Sequence, residues 1–82
     1  MSKSSIDEIF AQLRPLIEDL FPDSDTEIVP STTAPEIRGW DSLAHAVLLA
    51  NVERHVGIEL PPDRSLLLAS VGDLATLVHE CL

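Results

Sequence analysis

The sequence predicts an all-α fold: three longer helices, one short helix, and a long loop between the first two. Three observations predict it. Apolar residues recur at helical spacing in three separate stretches. The apolar content is mostly aliphatic, with Trp40, Phe10 and Phe21 the only aromatic residues. A leucine- and alanine-rich interior suits packed helices better than a sheet. The length, 82 residues, holds one small domain with a modest core. Residues 1–82 are therefore read as a single domain, ordered from about residue 6. There is no internal repeat, low-complexity tract or candidate boundary.

The first helix starts at a capping box. Ser5 covers free amides and Glu8 reaches back. Ile6, Ile9, Phe10, Leu13, Leu16, Ile17 and Leu20 then mark one face. The helix stops before Pro22, because a residue preceding proline is pushed out of the α region. Pro15 interrupts the pattern and removes one backbone hydrogen bond, which predicts a kink or local loosening rather than two helices.

Residues 21–41 have no helical period. Pro22, Asp23, Ser24, Asp25, Pro30, Ser31, Thr32, Thr33 and Pro35 mark irregular backbone. So long a loop in so small a domain must be tied down. Phe21, Ile28, Val29, Ile37 and Trp40 are the expected plugs, with Trp40 packing the loop onto the bundle.

The second helix is expected from Ser42 to Val56, with Leu48, Leu49, Val52 and Val56 as its core stripe and Gly57 as its stop. Leu43, Ala46, Val47 and Ala50 form a second apolar strip. That strip is either buried more deeply or a partner surface, and periodicity alone favours burial. Pro61-Pro62-Asp63 opens one or two turns over 63–68. Ser70 with Asp73 caps a last helix whose core face is Leu74, Leu77, Val78 and Cys81.

Charge and cysteine content narrow the function classes. The formal net charge is -9, which argues against nucleic acid and anionic lipid and favours a basic protein surface. Residues 1–41 carry nine acids and three bases, and residues 42–82 five acids and two bases. No apolar run is long enough to span a bilayer, and Met1–Ser5 has no hydrophobic leader region. The single Cys81 forms no internal disulfide and reads as a small core residue. A cytoplasmic monomer, complete as given, is expected. His45, His55 and His79 lack metal-ligand spacing, and no metal is expected.

The motif that carries chemistry is Gly39-Trp40-Asp41-Ser42-Leu43. Asp41 as helix cap puts Ser42 in the first turn, facing solvent. The helix terminus offers partial positive charge and free amides, so a phosphate on Ser42 would be favoured there. Taken as a bare tripeptide, Asp41-Ser42-Leu43 is most simply a cap. A catalytic triad of Asp41, Ser42 and His45 is disfavoured. The three lie within one turn, and no second segment offers an oxyanion hole.

The long loop, then Asp41-Ser42-Leu43, then a helix ending Val56-Gly57-Ile58-Glu59-Leu60-Pro61, resembles the acyl carrier protein family from about residue 6 to the C-terminus. The family's attachment motif is Asp-Ser-Leu at the start of its second helix. The resemblance implies an acyl-carrier-like four-helix bundle. A phosphopantetheinyl transferase would attach 4'-phosphopantetheine from coenzyme A to Ser42, and acyl groups would ride on its thiol as thioesters. Asp41 and Leu43 would complete the transferase signature. The carrier itself would catalyse nothing and would serve acyl- or aminoacyl-activating and acyl-transfer enzymes. The pattern Trp-Asp-Ser-Leu-x-His looks like a subset of stand-alone bacterial carriers and peptidyl-carrier-like domains. His45 would contact the arm or fill space near Trp40, the second being favoured.

The chain departs from the fatty-acid carriers at Ala44 and Val47, where those are often acidic. Glu53 matches a usual acid but Arg54 follows it, so the second helix is formally neutral. A specialised lipid, polyketide, peptide-like or single-acyl-unit pathway is therefore expected rather than housekeeping fatty-acid synthesis. On this reading Leu43, Val47 and Ala50 face partners, reversing the preference for burial, and Glu53 is a residual electrostatic contact. Two alternatives stand beside it: a peptidyl carrier with an aminoacyl load, and an unmodified helical adaptor using the Leu43/Val47/Ala50 strip.

Overall fold

Each long helix begins where a side chain covers its free amides. Ser5 Oγ accepts from the Glu8 N–H at 3.2 Å, Asp41 Oδ1 from Ala44 at 2.8 Å, and Ser70 Oγ from Asp73 at 3.2 Å. These caps open α1 (Ile6–Leu20), α2 (Ser42–Val56) and α4 (Val71–Cys81), with the single turn α3 (Pro62–Ser65) between the last two. The computed structural model describes residues 5–22 and 24–82, among which there is no strand. The expectations placed on Met1–Ser4 and on Asp23 lie outside the described residues.

The apolar stripes meet as their periods require. Ile9, Leu13 and Ile17 of α1, Leu48 and Val52 of α2, and Val71, Leu74, Ala75, Leu77 and Val78 of α4 are buried together. Helix α1 packs most extensively on α4 and next on α2. Burying one such aliphatic side chain stabilises the fold by about 1.5–3 kcal/mol, so these ten residues are the main restraint on the bundle. Leu49, Val56 and Cys81 stand at the rim, half-buried against the core.

Helix α1 runs unbroken through Pro15. The proline removes the N–H that would pair with the Ala11 carbonyl. Both residues lie on the exposed face, where water replaces that bond. Helix α2 ends as expected at Gly57, whose φ of 79° is left-handed and whose N–H donates to the Glu53 carbonyl at 2.8 Å. Helix α3 is shorter than the expected stretch to residue 68: proline starts it at Pro62, but Leu66 and Leu67 leave the helix and are 75% and 82% exposed.

The loop between α1 and α2 is tied down at several points. Phe21, Ile28 and Ile37 are buried in the core, while Val29 and Trp40 are half-buried. Thr32 is also buried: its hydroxyl donates to the Glu27 carbonyl at 3.0 Å and accepts from the Val29 N–H at 2.9 Å. A single 3₁₀ turn, Ala34–Glu36, follows, and the Glu36 carboxylate accepts from both the N–H and the hydroxyl of Thr33.

Two backbone bonds then dock the loop on α4. The N–H of Val71 donates to the Thr32 carbonyl at 2.8 Å, and that of Gly72 to the Pro30 carbonyl at 2.7 Å. These are first-turn amides, which have no acceptor inside their own helix. The loop therefore satisfies the start of α4 while α4 holds the loop.

Candidate functional site

The loop delivers Trp40 to the mouth of α2. A turn sets the approach: the Trp40 N–H donates to the Ile37 carbonyl at 3.3 Å and the Asp41 N–H to the Gly39 carbonyl at 3.0 Å. The Trp40 indole stacks on Phe21, with ring centroids 5.1 Å apart and planes inclined by 16°. Phe21 caps α1 with its N–H on the Ile17 carbonyl. The residues preceding Ser42 are thus anchored to the far end of the first helix.

The indole N–H of Trp40 donates to Nδ1 of His45 at 3.1 Å. An indole nitrogen can only donate, so Nδ1 must accept, and the proton of the neutral imidazole sits on Nε2. That nitrogen lies 2.9 Å from the Ser65 carbonyl, to which it donates. His45 therefore bridges the loop, α2 and α3 by using both ring nitrogens. Neither is left to activate Ser42, which removes the base from the Asp41, Ser42 and His45 triad. Of the two roles weighed for His45, the bridge beside Trp40 accounts for both its nitrogens.

Ser42 is the first residue of α2 and is exposed. Asp41, its cap, takes the Ala44 N–H. The first-turn N–H groups of Ser42 and Leu43 have no intrahelical acceptor. Beside Ser42 lies a cleft of about 370 Å³ lined by Trp40, His45, Leu66 and Leu68. Leu74 of α4, Ala34 of the loop and Ala69 complete its apolar lining, and Asp41, Ser42 and Ser70 supply its polar edge. Hydroxyl, helix terminus and cleft come together because Trp40 and His45 hold loop and helix at one angle.

The second apolar strip of α2 is exposed, contrary to the burial that periodicity alone favoured. Leu43 is 73% and Val47 41% exposed, and Ala46 and Ala50 are exposed as well. The reason is the position of α2: Leu48 and Val52 alone meet the core fully, and among the described residues no other element covers the opposite side. Glu53 is not a free surface acid. Its carboxylate accepts from the Leu60 N–H at 2.8 Å while its own carbonyl accepts from Gly57 and Ile58. It pins the α2–α3 connection, about 16 Å along the helix from Ser42 at 1.5 Å per residue.

Leu66, Leu68, Ser65 and Ser70 are site residues that the periodic reading passed over. Ser65 is 20 positions from His45, and no local pattern pairs them. Leu66 and Leu68 follow the Pro61-Pro62 signal and were legible only as apolar residues of a short element. Among the described residues, no group of His, Cys, Asp or Glu is arranged to hold a metal ion, and no helix is long and apolar enough to cross a membrane. No protein-family model matches the chain, and no curated protein matches it.

Proposed function

We propose that Ser42 is the attachment point of a 4'-phosphopantetheine arm and that the chain is an acyl carrier protein, presenting thioester-bound acyl groups to partner enzymes. The observation that carries this reading is the setting of Ser42: an exposed hydroxyl in the first turn of α2, at the edge of an apolar cleft. The residues present fit such a group. First-turn amides and the positive end of the helix favour a phosphodiester on the hydroxyl. The cleft offers apolar walls and polar edges to a chain of methylenes and amides.

In the attachment reaction the Ser42 oxygen forms a bond to the phosphorus next to the pantetheine. The pyrophosphate P–O bond breaks, the adenosine bisphosphate leaves, and the hydroxyl proton goes to a base on the transferase. When bound, the arm supplies a terminal thiol whose thioesters are reactive enough to be passed on. The chain's own contribution is presentation. Asp41 holds the helix start, Trp40 and His45 hold the approach to it, and Leu43, Val47 and Ala50 give partners an apolar contact. With Ala44 and Val47 where charge is absent, α2 is suited to clients that dock by apolar contact. That favours a specialised pathway over housekeeping fatty-acid synthesis. The partners on this reading are a phosphopantetheinyl transferase and acyl- or aminoacyl-activating and acyl-transfer enzymes.

A second reading, an unmodified helical adaptor, is favoured by the same exposed strip and by the exposed Leu66 and Leu67. One experiment separates them. The protein is incubated with coenzyme A, magnesium and a broad-specificity phosphopantetheinyl transferase, and its intact mass is measured. A gain of one phosphopantetheine, lost in Ser42→Ala, is expected. An unchanged mass of folded protein would leave the adaptor, and a gain that survives Ser42→Ala would move the site. Screening acyl- and aminoacyl-activating enzymes against the loaded form then distinguishes an acyl from a peptidyl carrier.

A further inference from the structure

We propose that His45 is a proton-operated latch on the Trp40 wall of the cleft beside Ser42. The bridge described above works only with a neutral ring: Nδ1 must present a lone pair to the indole N–H, while Nε2 donates to Ser65. A proton on Nδ1 replaces that lone pair with a second donor. Two N–H groups then face each other across the Trp40–His45 contact and the bond is lost. The Nε2 bond to the Ser65 carbonyl survives, because that nitrogen donates in both states. Protonation therefore has a directed effect. It frees the indole N–H edge of Trp40, whose face stays stacked on Phe21, and leaves α2 joined to α3.

The surroundings leave this exchange to the two bonds themselves. Among the described residues, the charged groups and histidines on the elements packed around the ring are Asp25, Glu27, Glu36, Arg38 and Asp41 of the loop, Glu53, Arg54 and His55 of α2, Asp63 and Arg64 of α3, and Asp73, His79 and Glu80 of α4. Only Asp41 shares the cleft lining with His45, and its carboxylate caps Ala44. Arg64 is paired with Glu80, Asp73 accepts from the Ala69 N–H, and Glu53 accepts from Leu60. None of these is bonded to the imidazole. Trp40 lines the cleft, so loss of its bond to His45 loosens the lining next to Ser42. The latch acts whether or not Ser42 carries an arm.

Trp40 is the only tryptophan and there is no tyrosine, so tryptophan emission reports the surroundings of Trp40 alone. The full chain is acidified through the range in which histidines ordinarily gain their proton, from about pH 8 to about pH 5. Tryptophan emission and the indole N–H and imidazole nitrogen resonances are followed together. The expected result is a loss of emission and an upfield shift of the indole N–H in step with titration of the His45 ring. His45→Gln and His45→Asn, which cannot titrate, show neither change. Uptake of an apolar naphthalene dye rises with acid in the unaltered protein only.

An indole resonance that stays fixed while His45 titrates would overturn the latch, and so would the same shift in both variants. Constant dye uptake alongside a lost Trp40–His45 bond would overturn the loosening of the cleft. Should the variants fail to fold, the paired resonances of the unaltered chain decide. Failure of Ser42 to accept an arm would leave all these readouts in place, so the two readings fail separately.

Discussion

The indole N–H of Trp40 meets Nδ1 of His45 at 3.1 Å, and the ring planes of the two residues lie 29° apart with centroids separated by 6.0 Å. One residue ends the long loop and the other lies one turn into α2, so this bond fixes the angle at which the chain enters the helix. Ser42 stands between them in sequence. Its exposure is therefore a product of loop anchoring as much as of helix position. A free loop would let the same serine sample many directions.

Trp40→Phe keeps the stack on Phe21 and removes the indole N–H. A typical hydrogen bond contributes about 0.5–1.5 kcal/mol. A loss of about 1 kcal/mol is expected. Trp40→Ala removes the stack as well and is expected to cost about 3 kcal/mol, the low end for aromatic truncation, because the ring is only half-buried. Urea unfolding followed by far-ultraviolet circular dichroism measures both. Equal losses would show that the ring contributes nothing beyond its hydrogen bond.

Thr32→Val preserves shape and deletes the buried hydroxyl. The Glu27 carbonyl and the Val29 N–H then lose their partner. Leaving buried backbone groups unsatisfied costs about 1–3 kcal/mol. Thr32→Ser keeps both bonds and is expected to cost less than Thr32→Val. Thermal melts of the pair test the hydroxyl directly, and a valine variant as stable as the native chain would remove Thr32 as a loop anchor.

Gly72→Ala sets two effects against each other. Alanine is favoured over glycine inside a helix by about 1 kcal/mol. Here a Cβ would lie 2.8 Å from the Pro30 carbonyl oxygen, a backbone atom that cannot swing aside. The loop would have to retreat and lose the Gly72 N–H bond to Pro30, and with it the adjoining bond from Val71 to Thr32. Overpacking of this kind costs about 1–3 kcal/mol, so the clash wins and the variant is destabilised. Faster amide exchange at Val71 and Gly72 is the accompanying signature. A stabilised variant would mean that the loop gives way freely.

The helix boundaries were legible because their causes are local. Ser5, Asp41 and Ser70 cap within three residues, and Gly57 supplies a left-handed stop. The core stripes of α1, α2 and α4 follow from spacing alone. The 3₁₀ turn has a local signature too, since Thr33 and Glu36 have capping-box spacing. The rest depends on distant partners. Nothing in the sequence near Thr32 says that it will be buried, and nothing near His45 names Ser65. The exposure of Leu43 and Val47 is decided by which side of α2 the other helices cover, and that of Leu66 and Leu67 by where α3 ends, and periodicity does not carry that information. At the site, the position of Ser42 was legible and the bridge that steadies it was not.

Glu53 and Leu43 separate structure from recognition in opposite ways. Glu53→Gln retains an acceptor for the Leu60 N–H and removes the charge, so stability should change little. Glu53→Ala leaves that N–H without its partner and is expected to cost about 1–3 kcal/mol. Leu43→Asp alters a side chain that is 73% exposed, and a surface change of this kind normally stays within about 0.5 kcal/mol. If the exposed strip is a docking face, Leu43→Asp slows phosphopantetheinyl transfer to Ser42 markedly while Glu53→Gln leaves it near the native rate. Initial rates from intact mass, set beside melting temperatures, read both quantities for each variant. Slow transfer in Glu53→Gln with unaffected transfer in Leu43→Asp would reassign recognition from apolar contact to charge.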